Sequence, residues 1–347
     1  MKSLKMVIWL CMGIFLCGCS LTEENVGERK EENKITMQKE RSAMESPEPV
    51  WKNYSTDLRD YNNDSPSEIL GVSEQFHEIN TDAKDKRKSW EDNKGNVMTF
   101  PEVGSVYYTT KEYDNSYSHL LNQEDYSSIC KEKRETAQTA AQRLIENIAE
   151  RLHISLANTE TFYLDKAALN QLSQLFMTDQ EYEEALADGE EAFKRRYEEK
   201  DSAVLVKSNI GIGDGTLYFR EYDVGNRNYM GSNLQALVKN GKVLWLDIQG
   251  AVAEGEETGK DTVISSDVVE QKIQEQYKSL QVEGEITCTN EGIFYVLTEE
   301  KDGAYRATPA YSFSVHYEMK PKKSKSKEKM SMNDKVLINA TDGQLIQ

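Results

Sequence analysis

No apolar run in this chain is long enough to cross a bilayer: the longest, Met6 to Leu16, has eleven residues, against about 20 for a spanning helix. That shortage disfavours a permanent transmembrane anchor. Histidine is scarce as well. His77, His119, His153 and His316 lie far apart, with neither H-E-x-x-H nor mixed Cys/His spacing, so no metal centre and no cofactor is expected. No G-x-S-x-G elbow is present, and nucleophilic catalysis has nothing to support it. Positive charge is short, with 42 Lys and Arg against 60 Asp and Glu and a formal charge of −18. A field of that sign argues against nucleic acid as a partner. The hydrophobic fraction of 38% is low for a globular chain. The deficit falls mostly in a charged N-terminal stretch and in loops, which leaves room for a packed core.

What is present begins at the N-terminus. Lys2 and Lys5 precede the short apolar run, the charged and hydrophobic regions of a signal peptide over residues 1–18. The run closes Leu16-Cys17-Gly18-Cys19. This resembles the lipobox of bacterial lipoproteins, with an apolar residue at −3, a small one at −1 and cysteine at +1. The resemblance implies cleavage before Cys19 and thioether attachment of diacylglycerol, with acyl chains such as palmitate. Leu16, Cys17 and Gly18 would then be the peptidase's recognition residues. Two acyl chains hold a protein on a membrane where one holds it only marginally. The expected location is the extracytoplasmic face of the cell membrane. Loss of residues 1–18 moves the formal charge from −18 to −20, because Lys2 and Lys5 leave with them.

Residues 19–65 are charged, poor in apolar side chains and broken by Pro47 and Pro49, and they read as a disordered acylated tether. As a flexible coil it would span roughly 35–40 Å. Beyond it, helices are expected at 135–152, 165–177, about 180–199 and 265–280, from apolar residues recurring at i+3 and i+4. Strands are expected at 203–208 and 216–222, at 234–239 and 242–248 around the tight turn Asn240-Gly241, and over 292–340 as a meander. Tyr311, Phe313, Val315, Tyr317 and Met319 alternate with polar residues, the mark of a half-buried strand. A polar segment at 254–261 looks like a boundary. The fold class is therefore α+β, with antiparallel sheets carrying helices on one face. Two such units are expected, 66–253 and 262–347.

The close of the chain, Val336 to Ile346, runs an apolar strand into Asp342-Gly343 and a short last strand. It resembles the closing hairpin of PepSY-like domains. Together with the lipobox and the helix at 135–152, it is similar to a family of uncharacterised lipoproteins of Gram-positive, clostridial-type Firmicutes. The resemblance implies an extracytoplasmic α+β module, and for PepSY-like modules an association with restrained proteases or sensor kinases. It carries over no functional residue.

Local candidates remain. Gly211, Gly213 and Gly215 form a G-x-G-x-G that is followed by a strand rather than the helix a dinucleotide needs, so it reads as a hairpin loop. Asp60-x-Asn62-x-Asp64 starts like a calcium loop but has Ser65 and Gly71 where glycine and a bidentate glutamate belong. The tyrosines at 107–126 are a sugar or peptide platform or, more simply, strand residues on a core. Cys130 and Cys288 are either a disulfide or separate thiols, Cys288 lying on the apolar side of its strand. Lys320, Lys322, Lys323, Lys325, Lys327 and Lys329 make one basic patch, either a partner contact or a solvated loop. The function expected is a non-enzymatic binding or regulatory module of the cell envelope, touching a protein such as a sensor kinase or protease. The alternative is a solute-capturing lipoprotein with a cleft between its two units.

Overall fold

The computed structural model describes residues 34–39, 50–80, 88–118, 120–121, 126–175, 187, 197–218, 232–278, 285–301, 303–319 and 330–346. Two predominantly antiparallel sheets carry them, and the class is α+β. The larger sheet runs in the spatial order β3 (Phe76–Asn80), β4 (Lys88–Asp92), β5 (Val97–Phe100), β6 (Val106–Thr109), β11 (Lys242–Gln249), β10 (Asn233–Lys239), β8 (Ala203–Ile212), β7 (Leu156–Leu164), with β9 (Gly215–Thr216) on β8. The smaller has β1 (Lys34–Lys39), β13 (Glu285–Glu299), β14 (Tyr305–Met319), β15 (Met330–Asn339) and β16 (Leu345–Ile346) in order, while β2 (Val50–Thr56) pairs with both β12 (Glu256–Thr262) and the start of β14.

The helices form where the apolar spacing predicts. Helix α3 (Glu135–Arg151) buries Ala141, Ile145, Ile148 and Ala149 on the larger sheet. On the opposite face of that sheet, α2 (Lys111–Ser116) and α4 (Lys166–Leu175) contribute Tyr113, Ala168, Leu169 and Leu172 to a second core. The larger sheet thus has helices against both faces. Helix α1 (Pro66–Leu70) starts on proline, whose missing N–H costs nothing there, and stops at Gly71 with φ 66°. The last helix, α5 (Ser266–Lys278), lays Val269, Ile273 and Tyr277 on the smaller sheet. Asn240 and Gly241 take φ of 51° and 72°, the left-handed pair that a two-residue hairpin requires. The helix expected at about 180–199 falls largely outside the described residues; Glu199–Asp201 is a single 3-10 turn.

The N-terminal stretch departs from expectation. Residues 34–39 and 50–56, assigned to the tether by composition, are strands of the smaller sheet. Strand β1 runs parallel to β13 with Ile35 opposite Ile286, and Tyr54 on β2 is 3% exposed. Backbone pairing and three or four inward residues suffice for a strand, whatever the charge around them. The polar segment read as a boundary is β12, an exposed strand held to β2 by main-chain bonds. The chain therefore enters the smaller sheet, leaves after Thr56 to build the larger one, and returns at Glu256 beside its point of exit.

Candidate functional site

The lipobox residues Leu16, Cys17, Gly18 and Cys19, the lysines Lys320, Lys322, Lys323, Lys325, Lys327 and Lys329, and His119 lie outside the described residues. No disulfide joins Cys130 to Cys288. Cys130 packs in the core beneath α2 and α4 while Cys288 lies under α5 on the other sheet, so the two cores keep them apart. Burial pushes the Cys288 thiol up to about 11. His316 is exposed, its Nδ1 2.7 Å from Asn333 Oδ1, and His153 closes α3 at φ 54°. Among the described residues no three His, Cys, Asp or Glu side chains converge as a metal site. In the calcium-like segment, Asp60 Oδ1 accepts the Asn62 N–H at 3.0 Å, a self-contained turn ahead of α1. Tyr108, Tyr113, Tyr117 and Tyr126 are core residues, and only Tyr107 of the described tyrosines in that stretch is half-buried.

The glycine loop is the joint between the sheets. A Cβ on Gly213 would lie 2.2 Å from Tyr54 Cζ, and one on Gly215 would lie 2.0 Å from Tyr295 Cε2. The glycines are there because two phenol rings lie flush against the backbone. Tyr54 donates to Asp214 Oδ1 at 2.5 Å, Lys52 pairs with Asp214 Oδ2 at 3.1 Å, and Tyr295 donates to the Lys52 carbonyl at 2.7 Å. The Tyr54 hydroxyl, aided by Lys52, holds the Asp214 carboxyl below its ordinary value. Tyr218 N–H bonds the Tyr295 carbonyl at 2.8 Å. Tyr54, Tyr295, Leu297 and Ala307 belong to the same core cluster as the larger sheet's Val206, Ile210 and Leu246. Among the described residues, these side chains pack the joint between the two sheets.

On the smaller sheet, Glu291 is the extra residue of a bulge in β13 between Asn290 and Gly292. It accepts from Ser312 at 2.6 Å and Ser314 at 2.5 Å and pairs with Lys335. Burial works against its charge, but Lys335 and the two hydroxyls prevail and hold the carboxyl below its ordinary value. Lys335 also donates to Ser314 Oγ at 2.6 Å. Ser314 thus gives its proton to Glu291 and accepts from Lys335. This cluster is a satisfied network rather than an activated nucleophile. Lys239 is similarly satisfied, with Glu112 at 2.7 Å and the Tyr117 hydroxyl at 3.0 Å.

A different arrangement occupies the α2/α4 face of the larger sheet. Side chains on one face recur every second residue and line up across paired strands. Under the helices this face is apolar: Phe162, Leu205, Leu237 and Trp245, the last stacked on Tyr113 at 5.3 Å and 4°. Two residues further along each strand it turns polar. Tyr107 on β6 is opposite Asp247 on β11, Asp247 is opposite Gln235 on β10, and Gln235 is opposite Lys207 on β8. Beyond this row stand Gln249, Asn233 (opposite Gln249) and Asn209. Lys207 and Asn233 are buried, and Tyr107, Asp247, Gln235, Gln249 and Asn209 are half-buried. Lys207 Nζ lies over the Tyr126 ring, 5.6 Å from its centroid.

Asp247 is the outlier of this face. Burial lifts its carboxyl to about 6, offset only in part by Gln249, whose Nε2 donates to Oδ2 at 3.1 Å. No described lysine or arginine pairs with it. Sequence reading missed it because Asp247 looks like the solvent-side residue of an alternating strand. The signal, polar residues sharing one parity on four strands, exists only once the register is known.

The fold has a solved counterpart. It is similar to an uncharacterized protein from Eubacterium rectale ATCC 33656, with a TM-score of 0.65 over 90% of this chain and 89% of that one. The two share 12% sequence identity, so the likeness is one of fold. No family model matches the chain, and no curated protein matches it.

Proposed function

We propose that the chain is a non-enzymatic binding module of the cell envelope, carried on the extracytoplasmic face of the membrane by a lipid on Cys19. Leu16-Cys17-Gly18-Cys19 supports the anchor. The observation that carries the binding role is the amide- and charge-lined half-face around Asp247, set on a rigid sheet beside a packed aromatic core. Rigid strands present polar groups with little ordering cost on binding. The lipoprotein and PepSY-like affinities of the two chain ends fit a module that meets a sensor kinase or protease, and the lysine patch at 320–329 is one surface for that contact.

Radiolabelled palmitate incorporation tests the anchor: label should enter the wild type and be lost in Cys19→Ala, with the protein released from membranes. Proximity crosslinking in intact cells tests the partner. One dominant envelope protein, lost on neutralising the lysines at 320–329, supports the contact; a neighbour profile identical to that of an unrelated lipoprotein sinks it. A second reading, capture of a small ligand, is favoured by Asp247, a carboxylate without a described cation. Its place in this reading is the polar half-face around Asp247.

A further inference from the structure

Resting on the ligand-capture reading, we propose that Asp247 is a receptor for an organic cation, a primary ammonium or a guanidinium, seated between Tyr107 and the amides of Gln235 and Gln249. A carboxylate has about four lone-pair sites, and an ammonium offers three donors. Gln249 supplies donors from a single amide nitrogen, so acceptor capacity on Asp247 is left over. The register sets Tyr107 directly opposite on one side and Gln235 directly opposite on the other, within one residue-pair spacing of about 4.5–5.5 Å. The Tyr107 hydroxyl is taken up by Trp245 and Thr109, so Tyr107 brings its ring to the site. The carboxylate and the Gln235 amide, which has an acceptor oxygen, are the neighbouring groups on the sheet for a group made entirely of donors.

Charge gives the same sign. Buried charges are ordinarily paired, yet the cation of this row, Lys207, stands two strands from Asp247 over the Tyr126 ring. Among the described residues no cation stands next to the carboxylate, so its charge would repel an anionic ligand. The chain's formal charge of −18 draws cations toward it. Tyr107 adds a half-buried aromatic ring beside the carboxylate, a further source of attraction for an alkylammonium. Lys207, two strands away and itself opposite Glu160 on β7, sets a limit: a second positive group on the ligand would meet a like charge beside it. The site therefore fits a monocation with an apolar or hydroxylated tail. Such a head group comes either from a free amine or from a lysine side chain on a partner.

The test uses the full chain with two probes, n-pentylamine for a free amine and Nα-acetyl-lysine methylamide for a protein side chain, and 1-pentanol as the uncharged control. Calorimetry reads binding, and carbon-13 carboxyl NMR reads the titration of Asp247. Saturable amine binding is expected that weakens tenfold per pH unit below about 6, with the Asp247 titration moved to lower pH by bound amine. Asp247→Asn should abolish it while the thermal transition is kept. Binding by the lysine derivative alone assigns the source to a partner, and binding by both assigns it to a free amine. Equal binding of 1-pentanol, undiminished binding in Asp247→Asn, or no saturable response to either amine overturns the proposal. Because the pH profile is read on the wild type, the outcome does not depend on how the variant folds. Failure here leaves the crosslinking result standing, and a failed crosslinking experiment leaves this one standing.

Discussion

Replacing Asp247 by asparagine should make the empty protein more stable. Burial moves the carboxyl from an ordinary 3.8 to about 6. At 1.36 kcal/mol per tenfold change in protonation, keeping it ionised in the folded chain costs about 3 kcal/mol near pH 7.5. Asparagine has nearly the same shape, keeps an oxygen for the Gln249 amide, and carries no charge. With about 2.1 cal/mol/K of unfolding entropy per residue, the gain corresponds to a rise of roughly 4 °C in melting temperature. The pH dependence identifies its origin. The folded value lies above the unfolded one, so the destabilisation is absent below about pH 4, grows between 4 and 6, and is complete above 6. Differential scanning calorimetry of both proteins from pH 4 to 8 should show curves that meet at the acid end and separate toward neutrality. A variant less stable than wild type at pH 7.5 would refute the reasoning, because it requires a cation already paired with the carboxylate. So would a gain independent of pH, because it would not come from the charge.

Other expectations follow from the same structure. Gly215→Ala puts a methyl on the Tyr295 ring and should cost about 1–3 kcal/mol in urea unfolding. Lys335→Met leaves Glu291 charged between two serines without its cation and should cost about 1–3 kcal/mol at pH 7 by the same measurement. The loss should shrink as pH falls through the depressed Glu291 value, since that group's contribution is complete only above its unfolded value. Tyr54→Phe should cost about 0.5–1.5 kcal/mol above pH 4, with the difference narrowing under acid as Asp214 is protonated. Native-state thiol labelling mapped by peptide mass should modify Cys130 well before Cys288, which burial keeps protonated and enclosed.

Elements whose cause is local were legible in the sequence. The stripe of α3, the Asn240-Gly241 turn and the alternation from Tyr311 to Tyr317 each depend on neighbours within a few residues, and each lies where expected. Contributions from distant partners were hidden. Lys34–Lys39 is a strand only because β13 lies alongside it, roughly 250 residues later. The glycines of the 211–215 loop announce freedom of backbone, while their reason, two tyrosine rings from the other sheet, has no trace in the loop itself. The polar row through Asp247 is assembled from four separate strands, each with an ordinary solvent-side residue at that position. One-dimensional patterning cannot rank such a residue, because its environment is set by register.

The side-by-side exit and return of the chain at β2 and β12 also imposes a timetable on synthesis. Residues 57–255 must emerge before β2 meets β12, and β1 waits longer still for β13. At about 5–20 residues per second, that separation of about 200 residues means roughly 10–40 s with β2 unpaired. The larger sheet, whose strands all lie between those two segments, can close in that interval. The smaller one cannot form until nearly the whole chain has appeared, and until then its first two strands travel as bare edges, the part of a nascent protein most in need of a guard.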